Sequence, residues 1–329
     1  MVVPGISLAR EREGRWAMGA ANAILAVRSV DKTYARRKVV DTVSFEVRAG
    51  EVMGILGPNG AGKTTIIRMI MGITAPDRGE IAYNLPDGRS RGIPKSQVGY
   101  VPEERGLYKD TRVMDTLVYL AGLKQVDPVT ARARARVWLE RMDLLRWSGS
   151  RIDRLSKGMA QKVQLIASVL HGPRLIVMDE PFSGLDPLNQ DLFKEEVRRL
   201  AAEGAAVLLS SHQMNLVEET CDRILFLHRG KRVFYGDTDE VRARFGGFKA
   251  VLRGPGPFAE LERSPLVASA EFGAGIAVFL LKPEANPARF AAAIPPDALT
   301  DEITVSRPTL HDIFVGLAKE VPDEDAADV

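Results

Sequence analysis

Residues 57–65, Gly57-Pro58-Asn59-Gly60-Ala61-Gly62-Lys63-Thr64-Thr65, match the pattern G-x-x-x-x-G-K-[ST]. Few short patterns constrain a chain so strongly. Its glycines let successive backbone N–H groups turn inward around an anion, and a helix starting near Lys63 aims the positive end of its dipole at the same point. Such a loop wraps the phosphates of a nucleotide such as ATP, with Lys63 neutralising the β- and γ-phosphates and the Thr64 hydroxyl ligating Mg²⁺. Context separates the motif from a chance match. Residues 51–56 are a short apolar run that reads as a buried strand, and residues 65–71 read as a mostly buried helix stopped by Gly72. Strand, glycine loop and helix follow one another in the required order, which an ordinary glycine-rich turn does not explain.

Downstream, Arg174-Leu175-Ile176-Val177-Met178-Asp179-Glu180 is an apolar run ending in two carboxylates. A parallel strand buried on both faces has this continuous apolar character, and ligands bind beyond the carboxyl ends of such strands. Alone, the two acidic residues would be a surface strand end. Paired with residues 57–65, Asp179 becomes the residue expected to hold Mg²⁺, directly or through water, and Glu180 the one expected to polarise an attacking water.

A third stretch, Leu155-Ser156-Lys157-Gly158-Met159-Ala160-Gln161-Lys162, precedes a predicted helix running to about His171 and ended by Gly172-Pro173. Ser156 is a suitable N-cap, so this is a second helix N-terminus suited to an anion. Here the chain resembles the ATP-binding subunits of ABC transporters, whose signature loop is Leu-Ser-Gly-Gly-Gln. Leu155, Ser156 and Gly158 match; Lys157 and Met159 depart, as they also do in bacterial exporter ATPases of this kind. The resemblance covers about residues 23–245 with its motifs in order. It implies that Tyr34 stacks on adenine, that Ser183-Gly184-Leu185-Asp186 is the D-loop, and that His212 is the switch histidine contacting the γ-phosphate. Where the family commonly has a Q-loop glutamine, Val98-Gly99-Tyr100-Val101-Pro102-Glu103-Glu104-Arg105 carries Glu103 instead. That form resembles a subgroup of bacterial exporters including sodium-extrusion-type systems, and it leaves Glu103 as an open metal candidate.

The resemblance further implies a head-to-tail pair of ATPase domains, as a homodimer or with a second ATPase subunit. Each nucleotide then lies between the phosphate loop of one copy and residues 155–159 of the other. It implies a separate transmembrane permease as partner, with export the expected direction. No apolar run reaches the ~18–20 residues of a membrane helix, so the chain is expected at the cytoplasmic face as a peripheral subunit. The formal net charge is +2 and gives no electrostatic case for nucleic acid. The single cysteine, Cys221, fits a reducing compartment. The basic runs at 35–38 and 131–136 read as solvated faces. Two other classes are open. A soluble ABC protein acting on ribosomes or DNA usually has a fused second domain or long coiled coils, neither of which is seen here. A sensor would bind a small ligand through residues 248–319.

The expected architecture is α/β: a P-loop NTPase of ABC type over 23–246, with a mixed sheet core, an antiparallel β subdomain and a helical subdomain at about 97–171. Within it, Trp138, Leu139, Met142 and Leu145 are expected on the buried side of one helix, and Leu188, Leu192, Val197 and Leu200 on that of another. Residues 1–22 are expected to be a disordered extension. Gly246-Gly247 marks a boundary to a small α+β domain at 247–319, whose β-α-β-β-α-β order suggests a ferredoxin-like unit. Its Arg307–Phe314 segment resembles a Pro-Thr-Leu-x-Asp-Ile-Phe end seen in similar ATPases. An acidic tail at 320–329 follows.

Overall fold

The computed structural model describes residues 22–85, 88–104, 106–245, 247–282, 284–294 and 301–314. The extension before Asn22 and the acidic tail therefore lie outside the described residues. The chain divides into two compact units, one running through Gly236 and one starting at Asp237. The division precedes the Gly246-Gly247 pair.

The first unit opens with strands β1 (Ala23–Tyr34) and β2 (Arg37–Arg48), joined through Ala35 and Arg36. Both linking residues have positive φ, 44° and 71°, as a two-residue hairpin with the right-handed twist of its strands requires. Strand β3 (Val52–Leu56) is buried at every position and feeds the glycine loop into helix α1 (Lys63–Ile70). Strands β4 (Arg78–Leu85) and β5 (Gly88–Ser90) complete an antiparallel sheet in the order β2-β1-β4-β5.

Strand β6 (Val98–Val101) comes next, then helices α2 (Val113–Gly122), α3 (Pro128–Arg141) and α4 (Lys157–Val169). Strand β7 (Leu175–Asp179), helix α5 (Pro187–Ala202), strand β8 (Ala206–Ser211) and helix α6 (Met214–Thr220) follow. Strands β9 (Arg223–His228) and β10 (Lys231–Asp237) end the series. The second sheet has the order β10-β9-β3-β8-β7-β6. Its β6/β7, β7/β8, β3/β8 and β3/β9 pairs are all parallel. One core joins both sheets: Val27 and Phe45 pack in the same cluster as Ile55, Ile66, Val177 and Leu208. Full burial of such a side chain stabilises by about 1.5–3 kcal/mol.

Three expectations need correction. Residues 98–101 are not part of a helical stretch but form β6, the edge strand of the parallel sheet. A four-residue apolar run has no period to separate strand from helix. What the position demands is close approach, since a Cβ on Gly99 would lie 2.2 Å from the Ser168 carbonyl oxygen of α4. On α5, Leu188 is 83 % exposed and Leu192 half-buried, while Phe193 takes the core position and meets Phe182 edge-on at 5.6 Å. On α3, Leu139 and the C-capping Met142 are buried as expected, but the helix ends at Arg141. Leu145 falls in a 3₁₀ turn and is half-buried, and Leu144 is the core residue. Trp138 is half-buried, with the Arg199 guanidinium 4.8 Å from its ring centre. That arginine and Arg141 both pair with the buried Glu196, at 2.8 and 3.1 Å, tying α3 to α5.

The caps agree with local chemistry. Asp127 accepts from the Thr130 N–H at 2.9 Å ahead of Pro128, and Ser156 accepts from the Met159 N–H at 3.2 Å.

The second unit contains α7 (Thr238–Phe245), β11 (Lys249–Arg253), a 3₁₀ turn at Ala259–Arg263, and the strands β12 (Val267–Gly273) and β13 (Ile276–Leu281). Helix α8 (Pro287–Ala292) and strand β14 (Glu302–Ser306) follow. The sheet order is β12-β13-β11-β14, antiparallel throughout. Where a first helix was expected, the chain makes only the 3₁₀ turn. Residues 310–314 are helical, and the chain from 315 on lies outside the described residues. The Arg307–Phe314 motif has a plain physical content. The Asp312 carboxylate accepts from the Thr309 N–H at 2.9 Å, and the Thr309 hydroxyl accepts from the Asp312 N–H at 3.2 Å, a reciprocal cap. Leu310 and Phe314 are buried just beyond it.

His171, after α4, is held neutral: burial and then the nearby Lys124 charge lower its pKa from 6.5 to about 4. Between those values the unfolded chain takes up a proton that the folded chain refuses. Stability is therefore independent of this ring above about pH 6.5 and should fall as pH drops toward 4. Urea midpoints measured from pH 7 to 4 should show that decline, and His171→Phe should flatten it.

Candidate functional site

The parallel register brings distant segments together. Leu56 at the end of β3 pairs with Ser211 of β8, and Ser210 pairs with Asp179 at the end of β7. The glycine loop, the two carboxylates and His212 thus leave one edge of the sheet side by side.

The loop is shaped by what it packs against. A Cβ on Gly57 would lie 2.4 Å from the Leu227 carbonyl oxygen of β9, and one on Gly62 would lie 2.7 Å from that of Val39 in β2. Gly62 also has φ 103°, the left-handed turn into α1. The β9–β10 turn closes the other side: Gly230 donates to the Ala61 carbonyl at 3.1 Å and accepts from Asp41 at 2.9 Å. Within the loop, Asn59 and Gly60 are exposed while Ala61, Gly62 and Lys63 are buried. The Lys63 ammonium donates to the Gly57 and Pro58 carbonyls at 2.8 and 3.2 Å and lies 3.7 Å from Glu180 Oε1.

Asp179 and Glu180 are both buried. Asp179 Oδ1 accepts from Ser210 Oγ at 2.6 Å and lies 3.5 Å from Thr64 Oγ1. The Ser210 oxygen in turn accepts from the Glu180 N–H at 3.1 Å. Glu180 has φ 48°, a costly conformation for a side chain of its size and one that clusters at functional sites. Its Oε2 lies 2.9 Å from His212 Nδ1 and also accepts from the His212 N–H at 3.4 Å. One carboxylate thus spans the lysine and the histidine.

Glu103 is exposed and leaves the sheet beside Asp179, two residues after Val101, which pairs with Met178. Burial, with the negative charge of Asp179 and then Glu103, raises the Tyr100 hydroxyl pKa. Tyr34 ends β1 and is 43 % exposed, with the Lys32 ammonium 5.5 Å from its ring centre. Ser156 and Lys157 are exposed at the start of α4, with Leu155, Gly158 and Met159 half-buried. A Cβ on Gly158 would touch the Leu185 side chain at 3.4 Å, so Gly158 lies against Leu185 of its own chain. Ser183 and Gly184 are exposed, Leu185 is buried, and Asp186 caps α5 by accepting from Asn189 at 3.1 Å. Among the described residues no hydrogen bond or ion pair joins 57–65 to 155–159.

Three residues near the site were missed from sequence. Ser210 bridges the carboxylate pair. Gln161 and Gln164 of α4 donate to the Pro181 and Pro102 carbonyls at 3.3 and 3.0 Å, tying the helix to the loops behind Glu180 and before Glu103. A polar residue in an otherwise apolar strand, and two buried amides on an amphipathic helix, were the available signals.

A glycine loop opening a helix against a strand-end carboxylate, at the edge of a parallel sheet, is the construction of a P-loop ATPase. The ABC transporter family model matches residues 40–183, and an AAA domain model matches 149–218. The chain is 36 % identical over 294 residues to the uncharacterized ABC transporter ATP-binding protein YhaQ of Bacillus subtilis, covering 89 % of this chain and 97 % of that one. It is 35 % identical over 261 residues to the Nod factor export ATP-binding protein I of Paraburkholderia xenovorans, covering 78 % and 86 %. A solved ATP-binding subunit of an ABC transporter superposes with TM-score 0.61 at 34 % identity, covering 68 % of this chain and 93 % of that one. The chain belongs to the ABC transporter ATP-binding proteins, and its activity is the ATPase that such subunits couple to transport.

Ser210→Ala should leave two buried partners unsatisfied, the Glu180 N–H and one side of Asp179. A loss of about 1–3 kcal/mol in denaturant unfolding is expected, with a lowered ATPase rate. Unchanged stability would mean that water replaces the hydroxyl.

Proposed function

We propose that this chain is the ATP-hydrolysing subunit of an export system, working as a head-to-tail dimer on a separate permease at the cytoplasmic membrane face. The observation that carries the reading is the placement of Glu180 between Lys63 and His212, with Asp179 beside Thr64. Export is supported by similarity to the Nod factor export proteins and to the linearmycin resistance ATP-binding protein LnrL of Bacillus subtilis, the latter 33 % identical over 225 residues.

In this reading the backbone N–H groups of residues 57–65 hold the phosphates of ATP, and Lys63 turns from its loop carbonyls toward the β- and γ-oxygens. Thr64 and Asp179 form an all-oxygen donor pair suited to Mg²⁺, which commonly takes one or two protein ligands and completes its shell with phosphate and water. When bound, the ion neutralises charge developing on the transferred phosphoryl group. Glu103 is a second acidic candidate at the same strand edge. Tyr34 supplies the adenine-stacking face. Glu180 positions and deprotonates the attacking water. His212, fixed by its Nδ1 contact to Glu180, faces the γ-phosphate. The N-terminus at Ser156–Gly158, exposed at Ser156 and Lys157, completes the site of the opposite copy together with the D-loop Ser183–Asp186, which agrees with the lack of bonds between the two loops among the described residues of one chain.

Among the described residues no helix is long and apolar enough to cross a membrane, so the membrane pathway is assigned to another polypeptide. Its seat is the exposed aromatic pair Tyr108 and Tyr119, 52 % and 53 % exposed and 6.0 Å apart edge-on, with Leu123 a helix turn further on. The second unit is assigned regulation or dimer contact.

Lys63→Ala should abolish ATP binding or turnover with the fold intact. Glu180→Gln should keep ATP affinity but slow hydrolysis by roughly 10²-fold, and should accumulate an ATP-dependent dimer on size-exclusion chromatography. Parent-rate hydrolysis by Glu180→Gln would move the catalytic role elsewhere, with Glu103 the next residue to test. Tyr119→Asp should spare basal ATPase activity in the isolated protein while cutting its co-purification with the co-expressed permease. Full retention of that complex would remove the aromatic pair from the docking surface.

A further inference from the structure

Helix α3 begins Pro-Val-Thr-Ala-Arg-Ala-Arg-Ala-Arg, and the three arginines of this run do not share a task. Arg134 turns inward and donates to the Leu170 carbonyl at the end of α4, 3.1 Å away, where a cation suits the helix C-terminus. Arg132 and Arg136 lie one turn apart on another face. They open onto a cleft of about 420 Å³ between α3, the start of α2 and the 3₁₀ turn after α3, which Arg112 also lines. All three side chains are exposed, and among the described residues none has an ion-pair partner. Asp115 is the one carboxylate of the lining, against three guanidinium groups, and Met114 and Leu145 supply an apolar wall. The site is separate from the nucleotide residues and does not depend on the reading of them.

Three guanidinium groups lining one concavity against a single carboxylate leave it net positive, and an anion offsets that charge. Each planar fork offers paired donors matched to carboxylate or phosphate oxygens. One arginine satisfies one carboxylate. Three arginines, two from α3 and one from the residue capping α2, suit an anion with oxygens on several sides. We propose that this cleft binds a phosphate-bearing anion with a short apolar extension, of the chemistry shared by an anionic phospholipid headgroup and a free phosphate ester.

The test compares the full-length chain with its Arg132→Gln/Arg136→Gln variant, and with an Arg263→Gln/Arg289→Gln control that removes the same charge from exposed arginines elsewhere. Co-sedimentation uses phosphatidylglycerol/phosphatidylcholine vesicles against pure phosphatidylcholine, and calorimetry uses glycerol 1-phosphate. The phosphate loop is common to all three proteins, so their difference isolates the cleft. At least tenfold weaker binding in the cleft variant alone is the expected result. In the vesicle arm it identifies a lipid headgroup, and in the calorimetric arm a free ester. Absence of binding in both arms, or equal loss in cleft variant and control, overturns the proposal. Circular dichroism and basal ATPase activity verify the fold. The single variants Arg112→Gln, Arg132→Gln and Arg136→Gln carry the same comparison if the double variant does not fold.

Discussion

Parallel pairing of β3, β8 and β7 is the constraint on which the rest of the molecule depends. The phosphate-loop, carboxylate and histidine residues of the site are scattered from 57 to 212, and nothing local holds them together. Because Leu56 pairs with Ser211 and Ser210 with Asp179, the three strands end almost level, and whatever follows each strand emerges at the same edge. A slip of one residue would reverse the facing of every side chain on the moved strand. Core positions such as Ile55, Val177 and Leu208, buried to the last few per cent of their surface, make that slip prohibitive. The hydrophobic core, which reaches into the phosphate loop at Ala61, thereby sets the geometry of the polar site at its edge.

Close backbone approach is the second layer of positioning. Gly54 accommodates Val217 and Cys221 of the α6 region, since a Cβ there would lie 2.8 Å from Val217 Cγ1 and 3.0 Å from Cys221 Sγ. Gly57 and Gly62 do the same for β9 and β2, so the loop is clamped on two sides before any ligand arrives. Its shape is therefore a property of the fold around it. A loop whose backbone is fixed by its packing needs little reorganisation when charge develops. The left-handed Glu180 belongs to the same logic, because its carboxylate reaches Lys63 and His212 only from a backbone turned out of the strand.

The parts legible in the sequence were those with strong local chemistry. Glycine spacing, the apolar runs at β3, β7 and β8, and the Ser156 and Asp127 caps each follow from the properties of a few neighbouring residues. What was not legible required knowledge of a distant surface. Residues 98–101 join a sheet because β7 offers an unpaired edge and α4 leaves room only for Gly99. Leu188 looked like a core residue by spacing, yet the helix turns its first turn outward and buries Phe193 instead. Ser210 sits in an apolar strand with nothing nearby in sequence to explain it; the explanation is Asp179, one strand away. Trp138 was expected in the core but is half-buried, and the arginines beside its ring come partly from α5.

The alternating arginines of α3 show the same limit for charge. Read as a run, they are a solvated face. On a helix, however, residues two apart point to nearly opposite sides at 100° per residue, so the run must split. One set meets α4, where the carbonyls of a helix end accept Arg134. The other set faces away, toward whatever the neighbouring elements leave open, and here α2 and the turn after α3 leave a concavity with a third arginine at its rim. A solvated face would place these charges apart or beside carboxylates, as Lys194 lies beside Asp191 and Glu219 on α5 and α6. Three like charges lining one cleft with a single carboxylate and no ion pair among the described residues disfavour the free protein, and a fold retains that cost most readily where an anion offsets it.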